Sequence, residues 1–221
     1  YERAYRYLKA ARLVEEENAA GAAAVFDRHH ALARLERIGQ RELHGKGKES
    51  GRTSLRFLGS LTHKGYIWRF DSVDALCPKV YVLADSWGLA GEGLSLLRTM
   101  ASEKGWDSIS CVCPEDPERL EHLLIPGLGL AFVTSRPGME YPGKPFRRIH
   151  LDTLAEPVEK GRQRLQSRLT VLLRDEGVAA LKAAKASHDA LEAVYNPYVD
   201  FEGVRAQAAL EAGRLLSWLE Q

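Results

Sequence analysis

No apolar run in this chain approaches the ~18 residues that a bilayer-crossing helix needs, and neither end has the pattern of a secretory signal. Excess charge is also missing. Lys and Arg total 31 against 30 Asp and Glu, for a formal net charge of +1. That balance gives no general electrostatic reason to expect nucleic acid as a partner. The short basic stretches, Lys144 with Arg147-Arg148 and Lys160 with Arg162 and Arg164, read as solvated faces. Cysteine is scarce: Cys77, Cys111 and Cys113 are three in number, and Cys111 and Cys113 stand too close for a usual metal pair. No further cysteines or suitably spaced histidines complete a zinc site, so free thiols in a reducing cytoplasm are the expectation. Proline is absent from Tyr1 to Leu43.

What is present divides into an arm, a linker, a core and a second helical region. Residues 1–43 are rich in Ala, Glu, Arg and Leu, and predict one long or two shorter helices with Gly21 as a weak point. Residues 44–54, centred on Gly45-Lys46-Gly47-Lys48, predict a linker. Residues 55–155 predict an α/β core with a mostly parallel sheet. Within it, Leu55–Ser60 and Gly65–Phe70 read as strands of a hairpin turning at Thr62-His63-Lys64-Gly65. Asp71–Cys77 reads as a short helix, Ser108–Val112 and Gly129–Val133 as strands, and Pro117–Leu123 as a helix capped by Asp116.

Residues 156–221 predict a helical region packing on the core. One apolar face is Leu165, Leu169, Leu172 and Leu173, and a second is Leu181, Ala184, Leu191 and Val194. Asn196-Pro197 should end that run, and Asp200 should cap a helix from Phe201 to Leu219. Leu8-Lys9-Ala10-Ala11-Arg12 is echoed by Leu181-Lys182-Ala183-Ala184-Lys185. Ala-rich helices produce such echoes by chance; the sharper reading is a duplicated unit of sheet plus helical arm, with residues 1–43 the arm of a preceding repeat.

The central motif follows the apolar strand Val80-Tyr81-Val82-Leu83. Ser86-Trp87-Gly88-Leu89-Ala90-Gly91-Glu92-Gly93 reads as a glycine turn opening a helix at Leu94. Strand, glycine turn and helix in that order are the setting in which backbone N–H groups cradle a phosphate. A nucleotide loop of this kind would carry Lys at 92 and Ser or Thr at 93; this chain has Glu92 and Gly93. A carboxylate repels phosphate, and glycine offers magnesium no hydroxyl. Ser86, Gly88, Gly91, Glu92, Gly93 and Leu94 are therefore expected to form a vestigial phosphate loop, with no catalytic residue and no metal ligand assigned.

Several separated segments, between about Phe57 and Phe201, resemble one half of a bacterial family of tandem P-loop ATPase-like proteins. They are Leu61-Thr62-His63-Lys64-Gly65, the strand at Val80, Cys113-Pro114-Glu115-Asp116-Pro117, Leu124-Ile125-Pro126-Gly127-Leu128, and Ser187-His188-Asp189-Ala190-Leu191-Glu192 with Val199-Asp200-Phe201. The resemblance implies a P-loop NTPase-like sheet with helical N- and C-terminal arms. The chain departs from the family at Glu92, at Gly93, and at Thr134, where the family tends to have a metal-associated aspartate. Losing all three features leaves little to stabilise phosphoryl transfer.

The expected function is a non-catalytic structural or regulatory module of a larger tandem protein. Its partner would be a companion P-loop domain or a second copy, and no cofactor is expected. Two alternatives stand beside it: an ATP-binding or weakly ATP-hydrolysing domain using ATP and Mg²⁺, in which Glu92 could ligate a metal joined by Asp85 or Asp116, and a protein-interaction or oligomerisation module. Glu92 could otherwise pair with Arg98 or face solvent. Arg136 reads as a surface-loop residue, Cys113 as buried and unreactive, His188 and Asp189 as cap or packing residues, and Trp68, Trp87, Trp106 and Trp218 as core.

Overall fold

A computed structural model describes residues 1–45, 49–155 and 160–219. The centre of the linker expected at 44–54 (Lys46-Gly47-Lys48), the opening of the expected C-terminal region (156–159) and its end (220–221) lie outside the described residues. Two compact units are distinguished, Tyr1–Leu181 and Lys182–Gln221.

The N-terminal arm is two helices, α1 (Glu2–Ala23) and α2 (Arg28–Glu42). The break falls just beyond Gly21, where Asp27 caps α2 by accepting the His30 amide at 2.9 Å. Then follow β1 (Thr53–Arg56), β2 (Gly59–Thr62), β3 (Gly65–Trp68), α3 (Phe70–Leu76), β4 (Lys79–Ala84), α4 (Gly91–Glu103), β5 (Ser108–Cys113), β6 (Asp116–Ile125), β7 (Leu130–Ser135) and β8 (Arg147–His150). Helices α5 (Lys160–Tyr195) and α6 (Phe201–Leu219) close the chain.

Six strands form one sheet in the order β1-β5-β6-β7-β4-β8, and β2 pairs with β3 as a separate antiparallel hairpin. Within the large sheet the β1–β5, β7–β4 and β4–β8 pairs are parallel, and only β6 runs against its neighbours. The protein is thus α/β with a mostly parallel sheet. Val80 to Leu83 are buried on both faces, as a strand covered on each side requires. Tyr81, Leu83, Leu123 and Phe132 meet α2 and α4 on one face. Val80, Val82, Ala131 and Val133 meet Phe70 and Val73 of α3 on the other. No helix among the described residues is long and apolar enough to cross a membrane.

Three expectations need correction. Leu55–Ser60 is not one strand: β1 joins the large sheet through β5, while β2 belongs to the hairpin. Pro117–Leu123 is not a helix. Asp116-Pro117-Glu118 imitates a helix start, but Leu120 to Ile125 are buried between β5 and β7, and strand pairing overrides the local signal. The basic pair Arg147-Arg148 lies in β8, an edge strand on β4, and both residues are exposed, as the solvated face expected of them requires. Leu165, Leu169 and Leu172 are exposed, because α5 packs instead through Thr170, Arg174 and Gly177. A Cβ at Gly177 would stand 2.6 Å from Cδ2 of Leu8 in α1, so a side chain there would require Leu8 to shift. In the second unit Asn196–Tyr198 forms the stop after α5, and Asp200 caps α6 by accepting the Gly203 amide at 2.9 Å.

Candidate functional site

The loop from Asp85 to Ala90 leaves the carboxyl end of β4, the position where open α/β sheets gather ligands. Helix α4 begins at Gly91, earlier than the Leu94 start expected. Gly88 holds φ at +73°, a left-handed conformation that a side chain would strain. A Cβ there would also run into the guanidinium of Arg119. The turn is thus a glycine turn, but its interior is occupied by groups of the chain itself.

Asp85 is the first of these. It is 3% exposed, and its two carboxylate oxygens accept the amides of Leu89 and Ala90, each at 2.8 Å. Burial pushes its carboxyl up from the ordinary aspartate range, against the pull of those two amides. The loop amides already hold an anion, and that anion is covalently part of the chain. Ser86 is likewise engaged: its amide and hydroxyl donate to the two oxygens of Asp152 at 2.7 and 2.9 Å.

Glu92 and Gly93 both face α2. Glu92 forms a two-pronged ion pair with Arg28, one prong at 2.5 Å, rather than meeting Arg98. Hydrogen bonds from Arg28 hold its carboxyl below the usual glutamate range. Glu92 also lies in the first turn of α4, where negative charge complements the helix dipole. At Gly93 an added Cβ would overlap Cδ1 of Leu35, which is 1% exposed in the main core. Gly91 opens the helix with only ordinary contacts, and Leu94 is fully buried beneath it.

Asp85, Glu92 and Asp116 do not share a metal site, since Asp116 pairs with Arg12 at 3.2 Å and the other two are engaged as above. Arg136 is not a surface residue; it is 13% exposed and lies 3.1 Å from the buried Glu121. Arg119 donates to the Cys113 sulfur at 3.0 Å, and Cys113 is fully buried, as expected. A cavity of about 360 Å³ beside the loop is lined by Ser86, Trp87, Arg119, Arg136 and Arg174. Its cations are answered by carboxylates, Arg174 by Glu15 at 2.6 Å and by Glu115. His188, Asp189 and Glu192 bring their ligand atoms within 4.8 Å on exposed turns of α5, where Lys185 already pairs with Asp189.

No protein-family model, curated protein or solved structure matches the chain. Its site is therefore read from its own geometry. Arg28, Leu35, Asp152 and Arg119, which fill or brace the loop, carry no local sequence signal. Only the unusual residues facing them, Glu92 and Gly93, hinted that something else stood there.

Proposed function

We propose that this chain is a non-catalytic P-loop NTPase-like module whose phosphate loop has become a docking surface for a helix. It serves as a structural or regulatory part of a larger tandem protein, with a companion core as its partner. One observation carries the reading: the two residues that stand in place of phosphate chemistry both contact α2. Glu92 takes Arg28 where a lysine would take phosphate, and Gly93 admits Leu35 where a hydroxyl would face magnesium. Asp85 supports it, since a nucleotide phosphate would have to displace a buried carboxylate from the loop amides.

The test is thermal unfolding of the whole chain with and without millimolar ATP and Mg²⁺. No shift is expected. A ligand present at a hundred times its Kd stabilises by about 2.7 kcal/mol, so a clear nucleotide-dependent rise in Tm would refute the proposal.

A further inference from the structure

The cavity of about 360 Å³ beside the glycine loop lies at the carboxyl ends of two adjacent parallel strands. Ser86 and Trp87 line it just after β4, and Arg136 just after β7. Open α/β sheets gather ligands at that end. Trp87, expected in the core, is half-buried here, whereas Trp218, expected there too, is 80% exposed on α6. Helices α1 and α5 contribute Asn18 and Arg174, and the whole lining belongs to the first compact unit.

Three guanidiniums line this space, and their partners differ. Arg174 is matched by Glu15 at 2.6 Å and by Glu115. Arg136 and Arg119 converge on the single carboxylate of Glu121, at 3.1 and 3.9 Å. Two cations on one carboxylate leave a positive charge over. The side chains of Arg136 and Arg119 are only 13% and 24% exposed, so water screens that charge poorly. Burial also pushes the Glu121 carboxyl up, which weakens its hold on both.

Hydrogen bonding makes the deficit specific. Neither Glu121 oxygen accepts a hydrogen bond, so this carboxylate uses no N–H donor of either guanidinium. Arg119 donates to the sulfur of Cys113 at 3.0 Å, a weak acceptor, and its Nε has no partner. Among the described residues, then, neither fork donates to an oxygen. A guanidinium fork matches the paired oxygens of a carboxylate or a phosphate. Helix α1 adds the opposite need: Asn18 is 9% exposed, and its carboxamide oxygen receives no donor. Leaving such an acceptor unpaired is costly.

The volume limits what can enter. It equals roughly a dozen waters at about 30 Å³ each, so a ligand has about that many non-hydrogen atoms, far fewer than a nucleoside triphosphate. We propose that the cavity binds a small hydroxylated organic anion, whose carboxylate or phosphate lies on Arg119 and Arg136 and whose hydroxyl donates to Asn18. The site uses none of the loop amides that Asp85 fills, and so goes beyond the reading of the loop as a docking surface.

The experiment is titration calorimetry of the whole chain with two matched pairs of probes, malate against succinate and glycerol phosphate against propyl phosphate. In each pair only the first-named member carries hydroxyls. One pair is expected to bind, which identifies the anionic group, with its hydroxylated member tighter by about tenfold or more. Asn18→Ala removes an oxygen that bonds nothing in the chain, and should abolish that preference while leaving the weaker member unchanged. Arg119→Gln should weaken both members at least tenfold. Circular dichroism checks that this variant folds, and if it does not, Asn18→Ala decides alone. No binding of any probe at millimolar concentration, equal affinity within both pairs, or unaltered binding by folded Arg119→Gln would overturn the proposal. Nucleotide is not among the probes, so a rise in Tm with ATP and Mg²⁺ would refute the loop reading by itself.

Discussion

The contact between Gly93 and Leu35 makes a sharp energetic prediction because each residue explains the other. Leu35 is 1% exposed, so Leu35→Ala should cost about 2–5 kcal/mol through lost burial and a residual cavity. Gly93→Ala places a methyl onto Cδ1 of Leu35 in a filled core, an overpacking cost of about 1–3 kcal/mol. Replacing glycine within a helix returns up to about 1 kcal/mol of backbone entropy. With the full helix gain, the net effect in the natural chain is therefore destabilisation by up to about 2 kcal/mol. In the Leu35→Ala background the sign reverses, since the methyl then enters vacated space and the helix gain remains. Urea denaturation of the four proteins reads this directly, as shifts in midpoint at constant slope. Coupling of about 1–3 kcal/mol is expected between contacting residues. If the two changes add to within about 0.5 kcal/mol, as independent sites do, Gly93 is not glycine on account of Leu35, and the docking argument fails with it.

Other predictions follow from single groups. Burial pushes the Glu42 carboxyl up, but hydrogen bonds from Lys79, Tyr81 and Arg41 outweigh it and hold the value at about 2. This depressed acid contributes about 3 kcal/mol of stability above its ordinary value of 4.5, lost as pH falls through about 2. Glu42→Gln should be less stable at neutral pH and should lose that part of the acid slope; an unchanged slope would contradict the pairing. His122 is pushed down to about 3 by burial and by Arg136, and its Nδ1 accepts the Thr134 amide at 3.2 Å. Nitrogen NMR at pH 5 should show a neutral ring protonated on Nε2, and a charged imidazolium would refute the assignment. Asp85→Asn sets an amide donor against one of the two loop N–H groups, costing about 1–3 kcal/mol. Hydrogen exchange at Leu89 and Ala90 should quicken, and unchanged protection there would show that Asp85 does not hold the loop.

Where the sequence could be read, the signal was local or periodic. The apolar run at Val80, the turn at Thr62–Gly65 and the cap at Asp200 each depend on neighbouring residues, and each stands in the structure. Strand β6 was hidden because burial on both faces erases the two-residue alternation that marks a half-exposed strand. The edge strand β8 was hidden by its basic residues, which suit an exposed sheet edge as well as a loop. At the site, the strand, the glycine turn and the helix after it were legible in residues 80–93. The groups that engage the turn were not, because Arg28, Leu35 and Asp152 reach the loop from segments distant in sequence.

The reversed strand β6 also shapes how the sheet can assemble. Strands β5, β6 and β7 follow one another along the chain and pair directly with their neighbours. Such a meander closes only short loops, so its entropic cost is small beside that of the parallel partners. The parallel pairs β1–β5 and β4–β7 each bridge a long intervening stretch. Chain connectivity thus favours a sheet that grows outward from its middle, with the strand feeding the glycine loop added onto a surface already laid down.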